Sequence, residues 1–286
     1  KIYGAGSIGN HYANAYIRRG WNVAIFDTDK KALIRTKKII YPSRYGRWNN
    51  KIKLLTKDDN KFYDLIVIGT PPSSHYKIAK KQVKKKLCSI LHIEKPLTVP
   101  SKKIVKSFER LSANSNIKFI CGYNHIFTKC VVEGKKILKR KTIGKINSVS
   151  SYNMVHWGVI FKAHPWLKGP HDSYLGFYKK GGGSLCEHSH GLNLLIHFIN
   201  FLKLGNIKKI KPSIYFNKSK RVNYDYANFI NFKTDKNIIS NLIQDVVTSP
   251  SIKKMHFQGD KGSMEIILDF KKNLDAIVLK IKNTEK

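Results

Sequence analysis

Two short segments of this 286-residue chain have side chains that could move a proton or stabilise charge beside a bound ligand. The first is Glu94-Lys95-Pro96, which follows the predicted strand 89–93. A lysine at the end of a buried parallel strand points into the crevice where open α/β proteins bind ligands. Its ammonium could stabilise an alkoxide as hydride leaves the neighbouring carbon. A solvent-facing lysine at a strand end is the alternative interpretation of Lys95.

The second segment follows three glycines at 181–183, within a predicted helix from about 184 to 202. At about 100° per residue, His188 falls on the apolar stripe of this helix, whereas Glu187 and His190 lie on the other side at i, i+3 spacing. We therefore expect His188 to be a packed structural residue. We predict that His190 is a general acid/base and that Glu187 orients it or adjusts its proton affinity.

The start of the chain predicts the element that would bring a cofactor to these groups. A G-x-G-x-x-G turn lies between a short apolar segment and the amphipathic segment 10–19. The three glycines suit, in order, a tight turn, close approach of a diphosphate and close packing of helix on strand. The diphosphate would lie at the helix N-terminus. The predicted phosphate-binding residues are Gly4, Gly6, Ser7, Ile8 and Gly9.

Asp27 is placed to bind a ribose. It ends the predicted strand 23–26, 18 residues after Gly9. A carboxylate there accepts the ribose 2′- and 3′-hydroxyls and repels a 2′-phosphate, which favours NAD over NADP. Lys30 and Lys31 could weaken that preference, so NADP stays possible. The alternatives are a flavin or nucleotide-sugar loop and a turn that binds no cofactor.

The order of the predicted elements indicates the fold class. The apolar run 63–68 suits a buried parallel strand, and the loop after it holds Thr70, Pro71 and His75 at the ligand-binding edge. Alternating strands and helices predict an α/β, doubly wound Rossmann domain over 1–122. One helix followed by many strands predicts an α+β domain with an open, largely antiparallel sheet over 123–286. Because only three residues precede Gly4, we expect the first strand to be truncated.

Composition limits the function classes. The formal net charge is +36, with 54 Lys+Arg against 18 Asp+Glu, but the lysines are spread over the whole length. No nucleic-acid motif accompanies them, so we expect no specific nucleic-acid partner, although charge-driven binding is an alternative. No run of about 18 apolar residues occurs, which predicts no membrane span. Four cysteines without C-x-x-C spacing indicate reduced thiols of a cytoplasmic protein.

The histidines of the second half do not predict a metal site, because they show neither H-E-x-x-H nor C-x-x-C spacing. The loop 164–174, rich in aromatic and polar residues, could line a carbohydrate site or could be an ordinary packed loop.

Together these motifs resemble the Gfo/Idh/MocA family of NAD(P)-dependent oxidoreductases, and the resemblance covers nearly the whole chain. The motifs are the Gly4–Gly9 loop, Thr70-Pro71-Pro72-Ser73-Ser74-His75, Glu94-Lys95-Pro96-Leu97, Gly122-Tyr123-Asn124, the 181–183 glycines with their helix, and Gly259-Asp260-Lys261-Gly262. Two features depart from the family. Glu187 stands three residues before His190 where many members have Asp-x-x-x-His, as in a subgroup associated with sugars of surface polysaccharides. Ile126 replaces the usual Arg after Tyr-Asn-x.

The resemblance implies an enzyme that moves hydride between NAD and a CH–OH group of a sugar, such as an amino or nucleotide sugar of surface polysaccharide biosynthesis. It implies catalytic Lys95 and His190, and a homo-oligomer, dimer or tetramer. A non-catalytic NAD-binding sensor or scaffold is the alternative function. The further cofactor-binding residues expected are Asp27, Thr70, Pro71, His75, Glu94 and Lys95. The expected substrate-binding residues are Lys95, Asn124, His156, Trp166, Asp172 and His190.

Overall fold

The computed structural model describes residues 1–164, 166–271 and 274–282. The chain divides into two compact units, Lys1–Gly122 and Tyr123–Lys286. Pro165, within the predicted carbohydrate-binding loop, lies outside the described residues.

The first unit, every residue of which is described, is built on a six-stranded sheet. Its strands are β1 (Ile2–Tyr3), β2 (Val23–Phe26), β3 (Ile52–Leu55), β4 (Tyr63–Ile68), β5 (Cys88–Ile93) and β6 (Lys118–Cys121). All neighbours pair in parallel, in the order β3-β2-β1-β4-β5-β6. This is the doubly wound order whose direction reverses beside β1, and the predicted fold class is confirmed.

Helices cover both faces of this sheet. They are α1 (Ser7–Arg18), α2 (Lys30–Arg35), α3 (Tyr41–Tyr45), α4 (Pro72–Lys84) and α5 (Lys102–Ala113). Neighbouring residues of β1 pack into different cores, Ile2 with α1, α2 and α3, and Tyr3 with α4 and α5. Alternate side chains of a strand point to opposite faces, so both faces of β1 are buried, as expected for a central parallel strand.

The described residues of the second unit form a seven-stranded sheet. Its strands are β7 (Ile146–Met154), β8 (Ile207–Lys218), β9 (Asn223–Thr234), β10 (Ile239–Asp245), β11 (Ile252–Gly259), β12 (Gly262–Lys271) and β13 (Leu274–Ile281). Their order is β13-β12-β11-β7-β10-β9-β8, and β7 with β10 is the parallel pair. The other pairs are antiparallel, which confirms the predicted largely antiparallel sheet.

One face of this second sheet is covered by helices. The helices of this unit are α6 (Lys129–Lys139), α7 (Gly158–Ala163), α8 (Ser184–Glu187) and α9 (His190–Phe201). Phe198 of α9 is fully buried, and its ring meets Phe257 of β11 edge to face at 4.7 Å between ring centroids. Side chains of α6 and α9 share this core with alternate residues of the sheet. The helices therefore bury one side of every central strand.

Two sequence-based predictions of elements are wrong in instructive ways. The single helix from 184 to 202 is interrupted at 188–189, which separates α8 from α9. The segment 157–174, rich in Trp, His, Gly and Pro and therefore expected to be a loop, contains α7 and a 3₁₀ turn at 170–172, and a second 3₁₀ turn begins at Tyr174. Its turns of helix are too short to establish the 3.6-residue periodicity by which helices are recognised in a sequence.

Candidate functional site

The glycine loop has the geometry that its spacing predicts. Gly4 has a φ of +108°, and a Cβ there would lie 2.8 Å from the carbonyl oxygen of Gly69. A Cβ on Gly9 would lie 2.1 Å from the carbonyl oxygen of Gly4, so only glycine lets α1 approach β1 this closely. A Cβ on Gly6 would meet nothing within 4 Å. The space beside Gly6 is therefore open to a ligand.

Two buried polar side chains fix the peptide groups of this loop. The Asn10 Nδ2 donates to the Gly6 carbonyl oxygen at 2.8 Å and to the Thr36 Oγ1 at 3.3 Å. The Thr36 hydroxyl in turn donates to the carbonyl oxygen of Ala5. Both side chains are fully buried. These hydrogen bonds hold the carbonyl groups of Ala5 and Gly6 inside the unit. The motif does not indicate Asn10 or Thr36, because both residues lie outside it.

Asp27 follows β2 at the same sheet edge. Its Oδ2 accepts the Ala5 amide at 2.8 Å, and its Oδ1 accepts the Asp29 amide at 2.9 Å. The carboxylate is thus anchored against the glycine loop and half-buried. Each carboxylate oxygen can accept a second hydrogen bond, which suits the predicted contact with a ribose.

Thr70, Pro71 and His75 lie after β4, but they differ in exposure. His75 is fully buried, with Nε2 2.7 Å from the Thr70 carbonyl oxygen and Nδ1 3.2 Å from that of Leu97. Burial lowers the pKa of His75, which favours a neutral ring. His75 therefore lies between the loop after β4 and the loop after β5, where a neutral ring can donate to one of the two carbonyl oxygens. Its contact with a cofactor stays a prediction. The Thr70 hydroxyl is 2.6 Å from that of Ser74.

Lys95 follows β5, and the side chain of Glu94 bonds to its backbone amide. The Oε2 of Glu94 accepts the Lys95 amide at 3.2 Å, and its Oε1 accepts the hydroxyl of Tyr12 on α1. Glu94 is buried, and burial raises its pKa although the bond from Tyr12 acts in the opposite direction. Burial and the Glu94 carboxylate raise the pKa of Tyr12 well above its usual range. Glu94 thus holds the backbone at Lys95, and its contact with a cofactor stays a prediction. A Cβ on Gly122 would lie 2.6 Å from the Glu94 Oε1.

In the second unit, His190 begins α9 immediately after the helix interruption. Its ring stacks on that of His125 at 4.0 Å between centroids and 14° between planes. Tyr123 meets the same ring edge-on at 5.8 Å, and its hydroxyl donates to the Ser189 Oγ at 3.3 Å. Glu187 ends α8 and accepts the hydroxyl of Tyr174 at 3.3 Å. The geometry of a continuous helix, used to compare Glu187 with His190, does not apply across the interruption.

The interruption is held by the sheet beneath it. The Asn153 Nδ2 donates to the His188 carbonyl oxygen at 2.7 Å, and the Ser151 hydroxyl donates to that of Gly191 at 2.9 Å. The ring Nε2 of His188 is 3.0 Å from the carbonyl oxygen of Val155. His188 is therefore bonded to the strand side of this unit. Asn153 and Ser151 are supporting residues that no motif indicates. Their alternation with other buried residues on β7 was the available signal.

The glycines before α8 bring backbone close to backbone. A Cβ on Gly182 would lie 2.2 Å from the Leu175 carbonyl oxygen. Gly183 has a φ of +83°, and a Cβ there would lie 2.0 Å from the Oδ1 of Asp225. The Asp225 Oδ2 accepts the Leu185 amide at 2.7 Å, so this buried carboxyl group caps α8. Burial raises the pKa of Asp225 although hydrogen bonds oppose the shift.

The remaining predicted substrate-binding residues have individual contacts. Asn124 and His156 are exposed, and the His156 Nδ1 accepts the Gly158 amide at 2.9 Å. Trp166 is half-buried and meets the ring of His164 edge-on at 5.1 Å. Asp172 is exposed and accepts the Lys168 amide at 2.7 Å. These contacts neither join the four residues nor assign them a ligand.

Over the described ranges, no group of three or more His, Cys, Asp and Glu side chains is arranged to hold a metal ion. Within the same ranges, no helix has both the length and the apolar character needed to cross a lipid bilayer.

The strand order, the open glycine loop and the anchored Asp27 define the first unit as a dinucleotide-binding Rossmann domain. Residues 1–123 match the model of the Gfo/Idh/MocA oxidoreductase family, described as an oxidoreductase family with an NAD-binding Rossmann fold. The match covers the whole first unit, so the predicted resemblance to this family is confirmed there, and the predicted cofactor, NAD, is confirmed with it. A comparison with the sequences of curated proteins gave no match.

Solved structures share the fold over nearly the whole chain. GenD2 from gentamicin A biosynthesis, in complex with NAD, has a TM-score of 0.74 and 16% identity over 99% of this chain and 74% of its own. The WlbA dehydrogenase from Bordetella pertussis, with NADH and UDP-GlcNAcA, has a TM-score of 0.72 and 14% identity over 93% and 77%. Levoglucosan dehydrogenase, with NADH and L-sorbose, has a TM-score of 0.73 and 15% identity over 98% and 79%.

Proposed function

We propose that this protein is an NAD-dependent oxidoreductase that transfers hydride between nicotinamide C4 and a carbinol or carbonyl carbon of a sugar derivative. The observation that carries the proposal is that Gly4 directly follows β1 and Glu94-Lys95 directly follows β5, in one parallel sheet. Both loops therefore lie at the carboxyl edge, where the ligands of open α/β sheets bind. A dinucleotide on the glycine loop and a lysine ammonium share that edge.

Three side chains would carry the proton chemistry. In the oxidative direction the carbinol carbon gives its hydride to NAD, and the hydroxyl gives its proton to His190. The Lys95 ammonium stabilises the oxygen as negative charge develops on it. Glu187 orients His190. When bound, NAD supplies the hydride acceptor, and the protein supplies position and charge.

A sugar is supported as the substrate class by what similar folds bind. The WlbA structure contains UDP-GlcNAcA, and the levoglucosan dehydrogenase structure contains L-sorbose. The net charge of +36 would attract an anionic substrate such as a nucleotide sugar. We therefore place an amino or nucleotide sugar of surface polysaccharide biosynthesis first among the substrates to be tested.

We also propose that the open face of the second sheet binds another copy of the chain, giving a dimer or tetramer. Phe229 and Ile239 are 44% and 54% exposed on this face, and Tyr215 meets Phe229 edge-on at 6.0 Å. Apolar side chains exposed together on a sheet commonly mark an interface. Sedimentation of the wild type and of Phe229→Glu tests this: a shift of Phe229→Glu towards monomer supports the interface, and equal masses refute it.

The four cysteines, Cys88, Cys121, Cys130 and Cys186, are free thiols, which agrees with the reducing cytoplasm as the place of the reaction. Fractionation of cells that produce the protein would test this part of the proposal.

The decisive experiment has two stages. Titration with NADH and NADPH, followed by nicotinamide fluorescence, measures cofactor binding. A panel of free, amino and nucleotide sugars is then screened by absorbance of the reduced nicotinamide. We expect NADH to bind more tightly than NADPH, because the Asp27 carboxylate repels a 2′-phosphate. Turnover with at least one sugar is the expected result.

Variants then assign the roles. Lys95→Ala and His190→Ala should each lower kcat by at least about a hundredfold while NADH still binds. Lys103→Ala, an exposed lysine of α5, and His197→Asn, two helical turns beyond His190, are the matched controls. Full turnover by His190→Ala would remove it from the mechanism. NADH binding without turnover on the whole panel would favour the sensor or scaffold.

A further inference from the structure

Arg44 lies beside the phosphate-binding loop although it is far from the motif in sequence. It belongs to α3, and its Nη1 donates to the Ser7 Oγ at 2.6 Å and to the Ser7 carbonyl oxygen at 3.3 Å. Ser7 is the first residue of α1 and the fourth residue of the G-x-G-x-x-G sequence. The guanidinium is therefore fixed at the end of the helix where the dinucleotide diphosphate is expected.

Arg44 brings a positive charge to the N-terminal end of α1. No side chain caps α1, and its first turn contains no acidic residue, within a part of the chain that is described throughout. The N-terminus of a helix is its positive end, so a nearby cation is unfavourable there. A diphosphate bound between them would interact favourably with both. It would attract the Arg44 guanidinium and would accept hydrogen bonds from the amide groups at the start of α1.

His11 and Tyr45 hold the guanidinium in place. The Arg44 Nη1 is 3.4 Å from the Nε2 of His11, which must accept because a guanidinium only donates. The other ring nitrogen, Nδ1, bonds to the hydroxyl of Tyr45, and the two rings meet edge-on at 5.9 Å. Burial raises the pKa of Tyr45, with the Arg44 charge acting against the shift. This network orders a long side chain before a ligand arrives, which reduces the entropy lost on binding.

We propose that Arg44 is a further cofactor-binding residue, which donates hydrogen bonds to the diphosphate of the dinucleotide. A guanidinium has five N–H donors in a planar fork, so it can bond Ser7 and a phosphate oxygen together. The inference depends on binding of NAD to the first unit and not on the catalytic roles of Lys95 or His190.

Affinity measurements on the full chain test this inference. Dissociation constants for NADH, NADPH, ADP-ribose and adenosine are compared among the wild type, Arg44→Gln, Arg44→Lys and Arg47→Gln. Arg47 is the matched control because it is exposed, is three residues away and loses the same charge. We expect Arg44→Gln to weaken NADH and ADP-ribose about tenfold or more, with adenosine within about twofold. Arg44→Lys, which keeps the charge without the fork, should give an intermediate loss.

Three outcomes would overturn the inference. They are equal NADH affinity for Arg44→Gln and wild type, a loss confined to NADPH, and an equal loss for Arg47→Gln. The first would show that Arg44 does not contact the diphosphate. The second would show that it contacts a 2′-phosphate instead. The third would show that it affects NADH affinity only through net charge. If the wild type binds NADH but turns over no sugar, the proposed reaction fails while these affinities still decide the role of Arg44.

Discussion

Alanine at two glycines of the phosphate-binding loop should separate cofactor binding from folding. Gly6 and Gly9 are three residues apart, yet a methyl group would meet open space at Gly6 and the backbone oxygen of Gly4, at 2.1 Å, at Gly9. We therefore predict that Gly6→Ala folds normally and loses NADH affinity. Gly9→Ala, in contrast, should lower the free energy of unfolding.

The magnitudes follow from the local geometry. Gly6 has φ −83° and ψ −166°, an extended conformation open to alanine, so Gly6→Ala should leave the free energy of unfolding unchanged or raise it by about 0.5 kcal/mol. At Gly9, alanine gains about 1 kcal/mol of helix propensity but must move α1 away from β1. Overpacking of this kind costs typically about 1–3 kcal/mol, and contact with rigid backbone places Gly9→Ala at the upper end.

Urea denaturation and NADH fluorescence titration measure the two effects independently. Gly6→Ala should bind NADH at least about tenfold more weakly, since its methyl group occupies the surface that a diphosphate approaches. Undiminished NADH affinity in Gly6→Ala would refute the position of the diphosphate. Wild-type stability of Gly9→Ala would refute the tight packing of α1 on β1.

Three further substitutions probe the supporting residues. Tyr12→Phe removes the hydroxyl that bonds buried Glu94, so we expect a loss of about 1–3 kcal/mol in the free energy of unfolding, measured by urea denaturation. Asn153→Ala leaves the His188 carbonyl oxygen without its 2.7 Å bond and should cost a similar amount. Burial lowers the pKa of His75 below its usual 6.5, so the unfolded state binds more protons and wild-type stability falls as pH drops below 6.5. In His75→Gln this dependence should weaken, by at most about 1.4 kcal/mol per pH unit.

Controls distinguish these effects from general damage. Tyr16→Phe changes another tyrosine hydroxyl of α1, one turn beyond Tyr12, and should lose clearly less free energy of unfolding than Tyr12→Phe. Asn193→Ala, in α9, is the control for Asn153→Ala. Equal losses for Tyr16→Phe and Tyr12→Phe would contradict the special role of the Glu94 contact. An unchanged pH dependence of stability in His75→Gln would contradict the neutral buried ring.

The sequence was sufficient to predict the first unit because its information is local. The spacing of Gly4, Gly6 and Gly9 indicates one turn, and the apolar run 63–68 indicates a parallel strand, of which Ile66, Val67 and Ile68 are buried. In contrast, the sequence Tyr41-Pro42-Ser43 is typical of a helix end, but the chain continues through a π-helical turn at 36–40 into α3, which has Pro42 in its first turn. Arg44 was therefore assigned no role at the sequence level.

The alternation along β7 indicates that Ser151 and Asn153 are buried, but their supporting role could not be predicted because it depends on tertiary contacts. An amphipathic pattern from 184 to 202 is compatible with one helix, and nothing local specifies the interruption at 188–189. The side chains of Asn153 and Ser151 point from β7 into the buried layer. They donate hydrogen bonds to the carbonyl oxygens of His188 and Gly191, respectively. A Cβ on Gly191 would lie 2.7 Å from that of Asn153, so the approach of α9 to this strand requires glycine.

These contacts indicate why a new helix, α9, begins at His190 instead of one helix continuing through 188–189. In a continuous helix, the amide of residue 192 would bond the His188 carbonyl oxygen, which here accepts the Asn153 side chain and the Gly191 amide at 3.2 Å. The orientation of the His190 ring is thus set by the strand beneath it and by its 4.0 Å stack on His125. If this holds, Asn153→Ala should reduce kcat more than it raises the KM for NADH, because it displaces the proposed acid/base and leaves the glycine loop intact. A change confined to the KM for NADH would contradict that coupling.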